Sequence, residues 1–222
     1  METTFTKINF SIIGNCALFI KNNGQELRNI FKDYEVSTRD ENLPDGTTAT
    51  SLLFKKGAVS LRFTPARVDC EILASSKDTQ LKDYLDYACD FFERLKSLSP
   101  PLIGNRIAIV AQCFIDNTQC KAVEYLTGKM GLGYAFGICN ELHFKINSPK
   151  IGFERLNCVL NVDMGEAKNN KTGEVTKVLI ASIDVNTLAE NKAERFTPAN
   201  ARPLFTELLK IAETQMQTLK KF

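Results

Sequence analysis

The chain has 222 residues, 44% hydrophobic and 24% charged, with 28 Lys+Arg against 26 Asp+Glu for a net charge of +2. That length supports a substantial core in one α+β domain over residues 1–222, and the composition is globular rather than disordered or fibrous. Its basic residues are scattered, with Lys55-Lys56 and Lys220-Lys221 as the longest runs, which argues against a nucleic-acid partner that would need a basic stripe.

The start, Met1-Glu2-Thr3-Thr4, carries no basic segment, so no signal peptide is expected. No window approaches the ~18 consecutive apolar residues of a membrane helix. A cytoplasmic location and no membrane partner follow as expectations. Uneven alternation around Thr6–Phe10 suggests a first strand. Leu27, Ile30, Phe31 and Tyr34 fall at the spacing of one helical face, which predicts a helix over Gln25–Tyr34. Residues 37–46 are polar and end in Pro44-Asp45-Gly46, a turn signature.

A hairpin is expected next, from Thr47–Phe54 through Lys55-Lys56-Gly57 to Val59, Leu61 and Phe63. Val68, Cys70 and Ile72 continue the alternation after Pro65, whose missing N–H implies a bulge, bend or edge position. The clearest helix is Asp78–Leu98, where Leu81, Tyr84, Leu85, Ala88, Phe91, Phe92, Leu95 and Leu98 form one stripe and Pro100-Pro101 stops it. Asn105–Ile115 is apolar on both sides and reads as a central strand. A short helix around Gln119–Thr127 leads to a glycine-rich connector, 128–137.

Three further strands follow, at Leu142–Ile146, Leu156–Met164 and Val175–Val185, with a turn at Asn169–Gly173. A final helix opens at Thr197-Pro198, with the proline at its first position. Grouped hairpins with interposed helices predict a mostly antiparallel sheet with long helices packed on one face. A strand pair followed by a helix occurs in both parts of the chain, leaving room for two similar strand–strand–helix halves. Arg62-Phe63-Thr64-Pro65-Ala66 recurs as Arg195-Phe196-Thr197-Pro198-Ala199. One copy runs into a strand and the other into a helix, so the repeat reads as coincidence.

The seven cysteines are odd in number and include no C-x-x-C pair. They read as reduced core thiols, with no metal site and no cofactor expected. His143 is the single histidine, on the polar side of a strand with Glu141 and Lys145. No nucleophile elbow accompanies it, so no catalytic residue is assigned. In the connector, Lys129, Gly131 and Gly133 could bring backbone N–H groups onto an anion. However, Gly128-Lys129-Met130 lacks the hydroxyl of a Walker loop, and Phe136 stands where a dinucleotide loop needs its third glycine. Lys129, Gly131, Gly133, Glu141 and His143 are therefore candidate ligand-binding residues. Asp163 and Asp184 are candidates for a carboxylate pair across a hairpin. Arg62, Arg106, Gln112, Glu141, His143, Lys145, Asn157, Asn161 and Asp163 mark a polar sheet face of mixed charge.

The strand–helix–strand run 59–115, the segment Leu156-Asn157-Cys158-Val159-Leu160-Asn161-Val162-Asp163, the segment Ser182-Ile183-Asp184-Val185-Asn186-Thr187 and Arg195-Phe196-Thr197 before a last helix together resemble a sporadically distributed family of bacterial proteins of about this size. The resemblance implies a bacterial origin and a shared α+β fold. That family has no established activity, so it implies no catalytic residue. The expected function is a non-enzymatic protein-interaction or ligand-binding module with a protein or homo-oligomeric partner. The alternative is a small-molecule or nucleotide-handling enzyme using connector 128–137.

Overall fold

Side chains alternate between faces along a strand, so neighbouring strands in register sort their apolar and polar residues onto opposite sides of a sheet. The structure, a computed structural model, describes residues 3–42, 46, 48–74, 81–116, 143–168 and 172–219. Its elements in chain order are β1 (Thr3–Ile13), α1 (Ala17–Ile30), β2 (Glu35–Asn42), β3 (Thr48–Lys56), β4 (Val59–Thr64), β5 (Arg67–Leu73), α2 (Leu81–Leu95), β6 (Arg106–Asp116), β7 (His143–Ile151), β8 (Arg155–Lys168), β9 (Val175–Thr187) and α3 (Ala201–Leu219), which a 3-10 turn at Pro198–Asn200 precedes. The strands form one nine-stranded sheet in the order β2-β3-β4-β5-β1-β6-β9-β8-β7. Every neighbouring pair is antiparallel. The α+β class with a mostly antiparallel sheet is therefore the observed fold.

The register explains the core. Phe54, Leu61, Cys70, Phe10, Ile109, Val185 and Cys158 lie opposite one another from β3 to β8, and all are buried. Shifted by one residue, the row from β4 to β8 becomes Arg62, Asp69, Ser11, Ala108, Asn186 and Asn157. The helices meet aromatic side chains on the face of the first row. Phe19 of α1 stacks near Phe63 at 6.5 Å, Phe91 of α2 meets Phe63 at 5.9 Å, and Phe205 of α3 meets Phe10 edge-on at 5.3 Å between ring centroids. Full burial of one such side chain contributes roughly 1.5–3 kcal/mol.

The sheet repeats its topology about its middle. β1 and β6 are central and antiparallel; β5 flanks β1 and leads to α2, while β9 flanks β6 and leads to α3. The repeated pentapeptide does not follow this symmetry. Its first copy ends β4 and turns into β5, whereas the second lies between β9 and α3. Arg195 of that second copy forms a bidentate pair with Glu154, at 2.6 Å from Nη2 to Oε1 and 3.1 Å from Nε to Oε2, and also donates to the Asn105 carbonyl at 2.7 Å. It fastens the β7–β8 turn to the start of β6.

Several expectations are corrected. The first helix runs from Ala17 rather than Gln25, because Asn23 is buried on its inner face and donates to the Phe19 and Pro100 carbonyls. A polar residue at that position hides the apolar stripe Phe19, Ile20, Leu27. Much of the polar stretch 37–46 is strand β2, held by its ladder to β3 rather than by burial. Pro65 sits in the turn between β4 and β5. Gly57 turns the β3–β4 hairpin at φ +56°, a conformation glycine accepts without steric cost. The helix expected around 119–127 and connector 128–137 lie outside the described residues.

A tight backbone crossing joins the two halves. A Cβ at Gly104 would lie 2.6 Å from the Ile13 carbonyl oxygen, and one at Gly14 would lie 2.8 Å from the Gly104 Cα. Gly104 also exchanges backbone hydrogen bonds with Phe196 at 2.8 and 2.9 Å, so the close approach anchors the segment entering α3.

Candidate functional site on the polar face of the sheet

Register places Arg62, Arg106, Gln112, His143, Lys145, Asn157, Asn161 and Asp163 on one face of the sheet, the face of Ser11 and Asp69. At its centre the short side chains of Ser11 and Ala108 are flanked by longer ones. Ser11 and Asp69 are each 2% exposed and Asn186 is 4% exposed. Polar groups seldom lie this deep unless hydrogen-bonded.

The first cluster belongs to β1 and β5. Ser11 Oγ donates to Asp69 Oδ1 at 2.6 Å, and Asn9 Nδ2 reaches Ser11 Oγ at 3.1 Å and Asp69 Oδ1 at 3.3 Å. Arg67 Nε stands 2.9 Å from Asp69 Oδ2, close enough for an ion pair but angled away from a hydrogen bond. Asn9 Oδ1 and Asp69 Oδ2 are thus buried acceptors that receive no hydrogen bond. An alternating strand produces this cluster because Asn9 and Ser11 are two apart on β1, and the antiparallel register brings Asp69 opposite Ser11.

The second cluster belongs to β6 and β9, across Ala108. Arg106 donates from Nη2 to Asn186 Oδ1 at 2.9 Å and from Nε to the Thr187 carbonyl at 3.2 Å. Asn186 in turn donates from Nδ2 to Asp184 Oδ1 at 2.7 Å. Burial raises the Asp184 carboxyl above its ordinary value. The Asn186 hydrogen bond and the charges of Arg106, Lys145 and Arg67 oppose that rise. Ser11 and Asn186 stand two strand spacings apart, about 10 Å, so the clusters share one strip of the face.

Toward β7 the face changes character. His143 Nδ1 contacts Asp163 Oδ1, but both side chains are exposed, at 71% and 48%. Asp163 lies opposite Ile180 while Asp184 lies opposite Val159, an offset of about 13 Å along the strand. The candidate Asp163–Asp184 pair therefore does not form, because the register assigns each carboxylate a different neighbour. Of the candidate ligand residues, His143 is described; Lys129, Gly131, Gly133 and Glu141 lie outside the described residues. Among the described residues no group of three His, Cys, Asp or Glu side chains is arranged to hold a metal.

Four of the described cysteines add little nucleophilicity. Cys16, Cys70, Cys89 and Cys158 are buried free thiols, and burial pushes Cys16 up to about 12 and raises the other three as well. A thiol held protonated is a poor nucleophile. Sequence reasoning missed Asn9, Ser11, Asp69 and Asn186. The available signal was the alternation Asn9-Phe10-Ser11-Ile12, whose polar members mark a second face.

No protein-family model matches this chain, and no curated protein or solved structure is significantly similar to it.

Proposed function

We propose that the protein is a binding module whose polar sheet face receives a protein or small-molecule partner, with the three helices of the described residues forming a single layer over the opposite, apolar face. The ring contacts of Phe19 and Phe91 with Phe63, and of Phe205 with Phe10, support that layering. The observation that carries the reading is the row of polar side chains that register gathers on that face, with Arg62, Lys145 and Asp163 exposed among them. Exposed side chains of both charges can pair with complementary groups on a partner.

The sheet edges support the face over edge-to-edge pairing. β2 carries Glu35, Arg39 and Asp40, and β7 carries Lys145, Pro149 and Lys150. Charges and proline on edge strands oppose the addition of another strand. The reading is non-enzymatic: Asp69 and Asp184 are held by neighbouring side chains, and the described thiols are buried.

Native mass spectrometry of protein purified gently from its own host tests the idea. A bound species, either a small molecule or a second polypeptide, is expected, and Arg62→Glu with Lys145→Glu should reduce its occupancy. Retention in that double variant, with loss on Lys82→Glu and Glu93→Lys on α2, would move the binding surface to the helices and overturn the proposal.

A further inference from the structure

Away from the polar face, three elements converge on a cleft of about 390 Å³ where α1 and α2 meet the β3–β4 hairpin. That volume lies within the range of pockets for small ligands, roughly 300–1,000 Å³. Ile30 and Val59 supply apolar wall, Tyr34 and Tyr87 supply phenols, and Lys56 and Arg94 supply positive charge. We propose that this cleft binds a small organic anion, an apolar or aromatic body ending in a carboxylate or phosphate.

Three observations support it. Lys56 Nζ stands 5.6 Å from the Tyr34 ring centroid, so the ammonium is held at the cleft by the ring face. Among the described residues, neither Lys56 nor Arg94 has a carboxylate within ion-pair distance. The cleft therefore carries two cations without a direct counter-ion, although Asp33 also lines it. The Tyr34 and Tyr87 hydroxyls contact each other. In such a phenol pair one O–H is used as donor, and the other remains available to an oxyanion.

Burial, then the hydrogen bond with Tyr34, raises Tyr87 well above the usual phenol range. A phenol is protonated at neutral pH with or without that rise, so its O–H can donate. Cations, a phenol donor and apolar wall meet where chain segments far apart in sequence come together. The Phe31–Phe91 ring contact at 5.6 Å fixes α1 against α2 beneath them. This inference is independent of the polar face, which other residues build.

The chain has no tryptophan, and two of its five tyrosines line the cleft, so a tyrosine difference signal that is lost in Tyr87→Phe reports on the cleft. The full chain is titrated with phenyl phosphate, benzoate, inorganic phosphate and benzyl alcohol, by calorimetry and by near-ultraviolet absorption. Saturable binding of phenyl phosphate or benzoate is expected, with a tyrosine difference signal; which of them binds more tightly assigns the ligand to phosphate esters or to carboxylates. Lys56→Gln and Arg94→Gln should each weaken binding about tenfold, and Tyr87→Phe several-fold. Circular dichroism verifies that these exposed substitutions leave the fold intact. Three results would overturn the proposal: no saturable binding of either organic anion at millimolar concentration, undiminished binding by the Lys56→Gln/Arg94→Gln double variant, or equal affinity for inorganic phosphate or benzyl alcohol.

Discussion

Phe10 and Ser11 are adjacent on β1, almost equally buried at 0% and 2% exposure, and point to opposite faces of the sheet. Phe10 meets Phe205 and sits in a continuous apolar cluster. Ser11 meets Asp69 and Asn9 in a hydrogen-bonded network that leaves Asn9 Oδ1 without a hydrogen bond and Asp69 Oδ2 with only the Arg67 ion pair. Burial of the first kind stabilises in proportion to apolar area, whereas burial of the second kind costs free energy wherever a hydrogen bond is missing. Equal burial on the two faces therefore has opposite consequences. The apolar face holds the fold together, and the polar face retains unmet hydrogen-bonding capacity.

The largest expected effect belongs to the apolar face. Phe63 has ring contacts with Phe19, Phe31, Phe54 and Phe91, so Phe63→Ala should cost about 3–5 kcal/mol in urea unfolding. A loss below that of any polar-face variant would break the contrast. On the other side, Asp69→Ala should cost about 2–3 kcal/mol, because it strands the Ser11 hydroxyl and the Asn9 amide in a buried site. Asp69→Asn should cost less, since its amide oxygen still accepts from Ser11. Equal losses for the two variants would show that charge, rather than hydrogen-bond acceptance, holds that cluster.

A pH experiment sharpens the comparison next. The Asp184 carboxyl is raised from 3.8 by burial, so the folded protein keeps this proton to a higher pH than the unfolded chain does. Its contribution to stability is full below 3.8 and is lost as pH rises through the folded value. Asp184→Asn should flatten the decline of the urea midpoint with pH just above that range. An unchanged slope would mean that the carboxylate is better solvated than its surroundings imply. The smallest effect is expected at the outer end of the same face. His143→Ala should change stability by no more than about 0.5 kcal/mol, because its pair with Asp163 is exposed. A loss matching Asp69→Ala would erase the distinction between the strip and the edge of the face.

Much of the sheet was legible beforehand because period-two alternation is a local signal. Val59, Leu61 and Phe63 of β4, Val68, Cys70 and Ile72 of β5, and Leu156 through Met164 of β8 all alternate plainly. Strand β2 was not legible. Its residues 35–40 are exposed, so no hydrophobic pattern records a pairing made by backbone groups alone. Helix α1 was half legible, since buried Asn23 interrupts its stripe and finds its second acceptor on Pro100, 77 positions away.

The candidate site divides the same way. Local pattern was enough to mark Arg62, Arg106, Lys145 and Asn157 as polar positions on strands. It did not reveal that Ser11 and Asp69 meet, because 58 residues separate them. Nor did it separate Asp163 from Asp184, since register is set by the pairing of whole strands. The Tyr34–Tyr87 cleft likewise depends on the packing of two helices and a hairpin.

The sequence by itself determined which residues alternate, which helices are amphipathic and that charge is evenly dispersed, because these properties depend on neighbours a few positions apart. Only the tertiary structure decided the order of the nine strands, the burial of Asp69 and the convergence of Lys56, Arg94 and two tyrosines. Those depend on contacts across long stretches of chain, where the burial of side chains and the pairing of strands are settled together.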